Sequence, residues 1–190
     1  PTSAYHVWRG QEQLNGKNLQ EIDNCNWSQT PLFHFTRSGS VRGVNVLLRA
    51  GVNVNASNYR GSTVLIEACK RGHTDIVTAL IDAGADVNAS FHNGWTALMT
   101  ACNNGYIDIV STLIDAGADV NDSVNDGMTA LACCSNGDID IVRTLIDSGS
   151  DVNASNIYGW TVLMWACRCG DINIVRTLID VGTYLNSKDK

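Results

Sequence analysis

An all-α fold is predicted for this chain: a solenoid of helix–turn–helix units joined by projecting β-hairpin loops. Three observations predict it. The stretch from Asn58 to Ser90 is written again from Phe91 to Ser123, and then twice more. The marker threonines Thr30, Thr63, Thr96, Thr129 and Thr161 are spaced by 33, 33, 33 and 32 residues. Within each copy, apolar residues recur at helical spacing between glycines at fixed places. A sustained period of this length marks a stacked array, in which function lies on a surface and not in a buried catalytic pocket.

The second copy shows how each element arises. Thr63 is placed to cap a helix running to about Arg71, its hydroxyl taking an otherwise unpaired backbone N–H. Leu65, Ala68 and Cys69 fall at i, i+3 and i+4, one apolar stripe, and Gly72 ends the helix. A second helix starts near Asp75, whose carboxylate suits a helix N-terminus. Ile76, Val77, Leu80 and Ile81 form its buried face, and Gly84 fits the left-handed stop position. Asp86-Val87-Asn88 then leads into a turn built around Gly61 and its equivalents Gly94, Gly127 and Gly159. Four aliphatics in the second helix contribute on the order of 1.5–3 kcal/mol each when buried. Ordering a whole repeat costs a similar total, so a single repeat is not expected to fold alone.

The period divides the chain into an N-terminal non-repeat or capping segment, residues 1–24, and five repeats at 25–57, 58–90, 91–123, 124–155 and 156–190. Tyr5, Val7 and Trp8 read as the remnant of a helix that caps the stack. The last helix keeps Ile174, Val175, Leu178 and Ile179, as apolar as any internal copy. Either further repeats or some other cover is expected there, and a chain opening on Pro1 reads as a piece of something longer.

The fourth repeat is one residue short. Thr129 to Gly137 spans eight positions where the others span nine, with the gap placed near Ala132-Cys133. Two readings stand: a local adjustment at the helix start, or a kink in the surface a partner would meet.

Composition narrows the functions. The formal charge is −6, so bulk attraction to nucleic acid is not expected. No apolar run approaches the roughly 18 residues a membrane span needs. The chain has seven cysteines, and Cys69, Cys102, Cys134 and Cys167 are read as occupying one slot in successive repeats. Equivalent atoms in packed helices lie about 8–10 Å apart, too far for a disulfide or a shared zinc ion. They are expected to be small apolar fillers, in a reducing cytoplasmic or nuclear setting. No metal or cofactor site is expected. The histidines His6, His34, His73 and His92 have no nucleophile and carboxylate in a catalytic arrangement, so no enzyme is expected. Asn-x-Ser triplets such as Asn88-Ala89-Ser90 recur with the repeat, and structure accounts for them.

Thr30-Pro31-Leu32 with Gly39, and the tracts Gly84-Ala85-Asp86-Val87-Asn88, Gly117-Ala118-Asp119-Val120-Asn121 and Gly149-Ser150-Asp151-Val152-Asn153, resemble the opening and closing signatures of ankyrin repeats. The match runs from about residue 25 to 187. Departures are Phe33, Ile66, Met99 and Met164 where the family has histidine, and the loss of proline after Thr63, Thr96, Thr129 and Thr161.

The resemblance implies a protein-interaction scaffold that binds a partner on its hairpin tips and concave groove. At the tips it places Trp27, Tyr59, Arg60, His92, Trp95, Met128, Tyr158 and Trp160. At the ends of the first helices it places Arg37, Lys70, Arg71 and Arg168. Aspartates such as Asp75, Asp82, Asp108 and Asp115 go to the convex back. The groove is then mildly basic over the first two repeats, and the expected partner is an acidic or phosphorylated protein segment with apolar anchors. Exposed Trp and Arg are residue types that dominate interface energy, whereas a tip ring packed on the next hairpin only stiffens the array. The family also implies hydroxylation at Asn88, Asn121 and Asn153, each eight residues after a leucine, against the favoured alternative of a purely structural turn asparagine. From another class comes a small-ligand or oligonucleotide sensor. Aromatics beside Arg and Lys stack bases and hold phosphates. Tyr59, Glu67, Lys70 and Trp95 loosely resemble the oligoadenylate site of an ankyrin-bearing ribonuclease family, without matching its spacing.

Overall fold

The computed structural model describes residues 30–58, 60–134 and 137–183. The proposed N-terminal cap, Trp27 and Tyr59 lie outside the described residues. Ten helices occur among those described. The first helices of the five repeats are α1 (Pro31–Arg37), α3 (Val64–Arg71), α5 (Ala97–Asn103), α7 (Ala130–Cys133) and α9 (Val162–Cys169). The second helices are α2 (Val41–Arg49), α4 (Thr74–Asp82), α6 (Ile107–Asp115), α8 (Ile139–Asp147) and α10 (Ile172–Asp180). First helices stack on first helices and second on second. This is an all-α repeat solenoid. Its only β features among the described residues are single antiparallel bridges, Ser57 with Thr63, Ser90 with Thr96, Ser123 with Thr129 and Ser155 with Thr161, each closing a hairpin loop.

The marker threonines act as expected in four repeats. The hydroxyls of Thr30, Thr63, Thr96 and Thr161 accept the N–H three residues on, at 3.3–3.4 Å. In α4 the buried face is Ile76, Val77 and Leu80, with Ile81 half-buried against the core. The first helices are buried more completely than one stripe predicts. Every residue of α3 from Val64 to Cys69 is buried, because α1, α4 and α5 flank it.

Two other devices set the register of the stack. Asn55 accepts the Asp86 N–H at 2.8 Å and donates to the Gly84 carbonyl at 3.3 Å. Asn88 repeats this with Asp119 and Gly117, and Asn121 with Asp151 and Gly149. Each closing asparagine thereby bonds the loop of the next repeat. The hairpins are stitched by backbone bonds, among them Asn125 N–H to Asn93 C=O at 3.0 Å and Ile157 N–H to Asp126 C=O at 2.7 Å. Gly94 takes φ +85°, and a Cβ there would stand 3.0 Å from the Val124 Cα of the next hairpin. Glycine is required both by conformation and by this close approach.

The short fourth repeat corrects two expectations. Its first helix begins directly after Thr129 but without the hydroxyl cap bond of the other copies, and the shortening falls at its C-terminal end. The start is held by the Ser123–Thr129 bridge and by fully buried Leu131, so it cannot rotate. Instead α7 has four residues where the other first helices have seven or eight. Counted from the threonine, Cys134 therefore falls in the slot of Ala68, Ala101 and Ala166, not that of Cys69 and Cys102. Its thiol donates to the Ala130 carbonyl at 3.1 Å. Cys167 also departs from the filler role, being exposed.

Candidate functional site

The shortening of α7 leaves space on the side of the array formed by the ends of the first helices. There an open recess of about 260 Å³ is lined by Trp95, Asn103, Met128, Ala132, Cys133, Trp165, Arg168 and Cys169. Those residues come from the third, fourth and fifth repeats. The contact between α7 and α9 is sparse compared with that between α5 and α7.

The walls are held by local chemistry. The Trp95 backbone N–H donates to Asn93 Oδ1 at 3.2 Å, and that of Met128 to Asp126 Oδ1 at 3.1 Å. These side-chain turns direct the last residue of each hairpin, which is half-buried, against the stack. The Trp95 indole Nε1–H then donates to Thr100 Oγ1 at 3.0 Å, and Thr100 in turn donates to the Thr96 carbonyl at 2.9 Å. The ring is fixed by its own repeat. In the fifth repeat Trp160 and Trp165 lie with ring centroids 4.9 Å apart, tilted by 48°. The Arg168 guanidinium sits 5.5 Å from the centroid of each. Such cation–π contacts are worth about 0.5–1 kcal/mol at an exposed site. At the floor, burial pushes the Cys133 thiol up to about 12, with Cys102 and Asp126 adding to it, so this sulfur is a neutral apolar surface.

The other expected residues divide. Arg60, His92 and Tyr158 are exposed on the hairpins, Tyr158 at 58% beside equally exposed Ile157. Lys70 is exposed at the end of α3. Arg37 and Arg71 are engaged: their Nε atoms lie 2.9 and 3.2 Å from Oε1 of Glu67, whose side chain is 8% exposed. The basic character expected over the first two repeats is thus partly neutralised by one buried carboxylate. Asn88 and Asn121 carry the inter-repeat bonds described above, a structural role for the turn asparagine.

Trp165 and Cys169 belong to the recess, and reading the sequence did not single them out as site residues; Ala132 and Cys133 were marked only as the place of the missing residue. A signal for Trp165 existed. The fourth residue after each marker threonine is His34, Glu67, Thr100, Cys133 and Trp165, a slot that changes chemistry in every repeat while its neighbours stay apolar.

A family model described as Ankyrin repeats (3 copies) matches residues 9–91, 89–156 and 122–189. The chain belongs to the ankyrin-repeat family. Among curated proteins, a segment of 47 residues is 40% identical to the Probable E3 ubiquitin-protein ligase XBOS32 of Oryza sativa subsp. japonica. That segment is 25% of this chain and 10% of the relative, so the likeness reaches only a small part of the ligase. Among the described residues no helix is long and apolar enough to cross a membrane.

Proposed function

We propose that the chain is a protein-interaction module in which the recess over the shortened α7 receives a side chain of a partner segment lying along the first-helix ends. Ankyrin repeats generally bind proteins, and the recess supports this particular docking point. It gathers Trp95, Met128, Trp165 and Arg168, residue types that carry interface energy. Its volume of about 260 Å³ is below the roughly 300–1,000 Å³ of small-molecule pockets, and it is open to solvent. That size suits one anchoring side chain of a longer segment. The same geometry weighs against the small-ligand or oligonucleotide reading. The Trp95 indole N–H is already used by Thr100, and Glu67 faces Arg37 and Arg71. No catalytic role and no ligase activity is proposed for the repeats. The partner in this reading is an acidic or phosphorylated segment with apolar anchors. Hydroxylation at Asn88, Asn121 and Asn153 is retained as a further proposal. At Asn88 and Asn121 it requires the loop to leave its bonds to the next repeat.

Inserting one asparagine after Ser135 restores the nine-position spacing and extends α7 across the recess. Peptides selected from a displayed random library on the native chain are expected to lose binding to the insertion variant. Thermal unfolding of that variant is expected to match or exceed the native chain's. Selected peptides that bind both forms equally would place the docking point elsewhere.

A further inference from the structure

Resting on that docking point, we propose that the bound segment carries an apolar side chain next to a carboxylate, with a second carboxylate about eight residues away. The apolar side chain enters between Trp95, Met128 and Trp165. The adjacent carboxylate meets Arg168. Charge complementarity carries this choice. Among the described residues Arg168 is the one charged residue lining the recess, and no carboxylate lines it. Among the described residues no acid pairs with Arg168; its guanidinium lies over two indole rings. A guanidinium held on aromatic faces is positioned in advance, with planar N–H donors matched to a carboxylate. The nearby acid is Asp126, whose Oδ1 holds the Met128 N–H on the hairpin side. Its charge keeps an incoming carboxylate away from the hairpin and toward Arg168 in the last turn of α9.

The second carboxylate follows from the repeat register. The seventh residue after the marker threonine is Arg37, Lys70, Asn103 and Arg168 in the first, second, third and fifth repeats, a row along the first-helix ends. Arg37 is bound to Glu67, whereas Lys70 is exposed and has no ion-pair partner among the described residues. Adjacent helices pack about 9 Å apart, so Lys70 and Arg168, three repeats apart, are separated by about 27 Å. An extended chain covers that distance in about eight residues at roughly 3.3 Å each.

The test uses the full chain and a displayed library of random peptides about 16 residues long, enough to span both cations. Selected sequences are expected to share an apolar–acidic pair and a second Asp or Glu about eight positions away. A selected peptide should bind Arg168→Gln about fivefold or more weakly and Lys70→Gln about two- to threefold more weakly, with both losses shrinking at high salt. Arg168→Lys keeps the charge but not the planar paired donors, so it should restore only the salt-sensitive part of the first loss, which a merely structural role for the stacked guanidinium would not. Both side chains are exposed, and circular dichroism verifies that the variants fold. Peptides that lose binding to the α7 insertion variant but show no acidic preference, or are indifferent to Arg168→Gln, overturn this proposal and leave the docking point standing. Peptides indifferent to the insertion overturn the docking point and this proposal with it.

Discussion

Arg37 of the first repeat places its Nε 2.9 Å from Oε1 of Glu67 in the second, so a charge pair spans the repeat boundary. Arg71 closes on the same oxygen from within the second repeat, and the carboxylate beneath them is buried. Both arginines are 40% or more exposed, so solvent weakens the pair while the buried carboxylate still depends on it. Glu67→Gln is expected to lower stability by about 1–2 kcal/mol and to remove this carboxylate from both arginines. A denaturant midpoint identical to the native chain's would show the pairs to be energetically silent.

Glycines of like conformation differ in what surrounds them. Gly94 and Gly117 have φ +85° and +90°, but a Cβ at Gly94 meets Val124 backbone at 3.0 Å, whereas Gly117 has nothing within 4 Å. Gly117→Ala should cost about 1 kcal/mol from backbone strain alone. Gly94→Ala adds displacement of the next hairpin and should cost about 2–3 kcal/mol. Equal costs, measured by chemical denaturation, would mean that the hairpins give way freely.

The closing asparagines are exposed yet bonded twice. Removing the Asn121 carboxamide deletes the 3.1 Å bond to Gly149 and the 2.7 Å bond from Asp151. Asn121→Ala should destabilise by about 1–2 kcal/mol, and Asn88→Ala similarly. The two sites meet at Asp119, whose N–H is accepted by Asn88 and whose Oδ1 accepts the Asn121 N–H, so the double variant should depart from the sum. A double variant no worse than either single one contradicts the ladder.

The thiols carry a pH signature. Burial is the main cause holding Cys69 and Cys133 up to about 12, against an ordinary value of 9.0. Below pH 9 the folded and unfolded chains both keep these thiols protonated, and their contribution is fully present. Above it the unfolded chain ionises first, so stability falls as pH rises toward 12. Thermal midpoints should decline over that window, and less steeply in Cys69→Ala. Iodoacetamide at pH 8 should modify exposed Cys167 and Cys169 while sparing Cys69 and Cys133 until unfolding. Early labelling of Cys133 would show the recess floor to be open to reagents.

The solenoid was legible because each repeat restates the same local rules: a capping threonine, two apolar stripes, and glycines where φ turns positive. The site was less legible. Periodicity identifies Trp95 and Trp160 as hairpin residues but does not say that their rings turn inward, since that follows from the Asn93 and Asn156 side-chain turns that fix the backbone N–H groups. The neutralising role of Glu67 depends on Arg37, 30 residues away, and no local pattern connects them. The missing residue in the fourth repeat was visible as a count. Which end of α7 absorbed it was decided by packing, because buried Leu131 fixes one end.

The thin contact between α7 and α9 has a mechanical consequence. In a one-dimensional stack, stability is a sum of repeat terms and nearest-neighbour terms, so the weakest neighbour term is where cooperativity divides. The fifth repeat is coupled to the rest across this seam, chiefly by α8 against α10 and by the hairpin stitch at Ile157. A segment seated on Trp95, Met128 and Trp165 touches both sides of the seam. Occupancy would therefore splint the array, making the melting of its last repeat a gauge of whether the recess is filled.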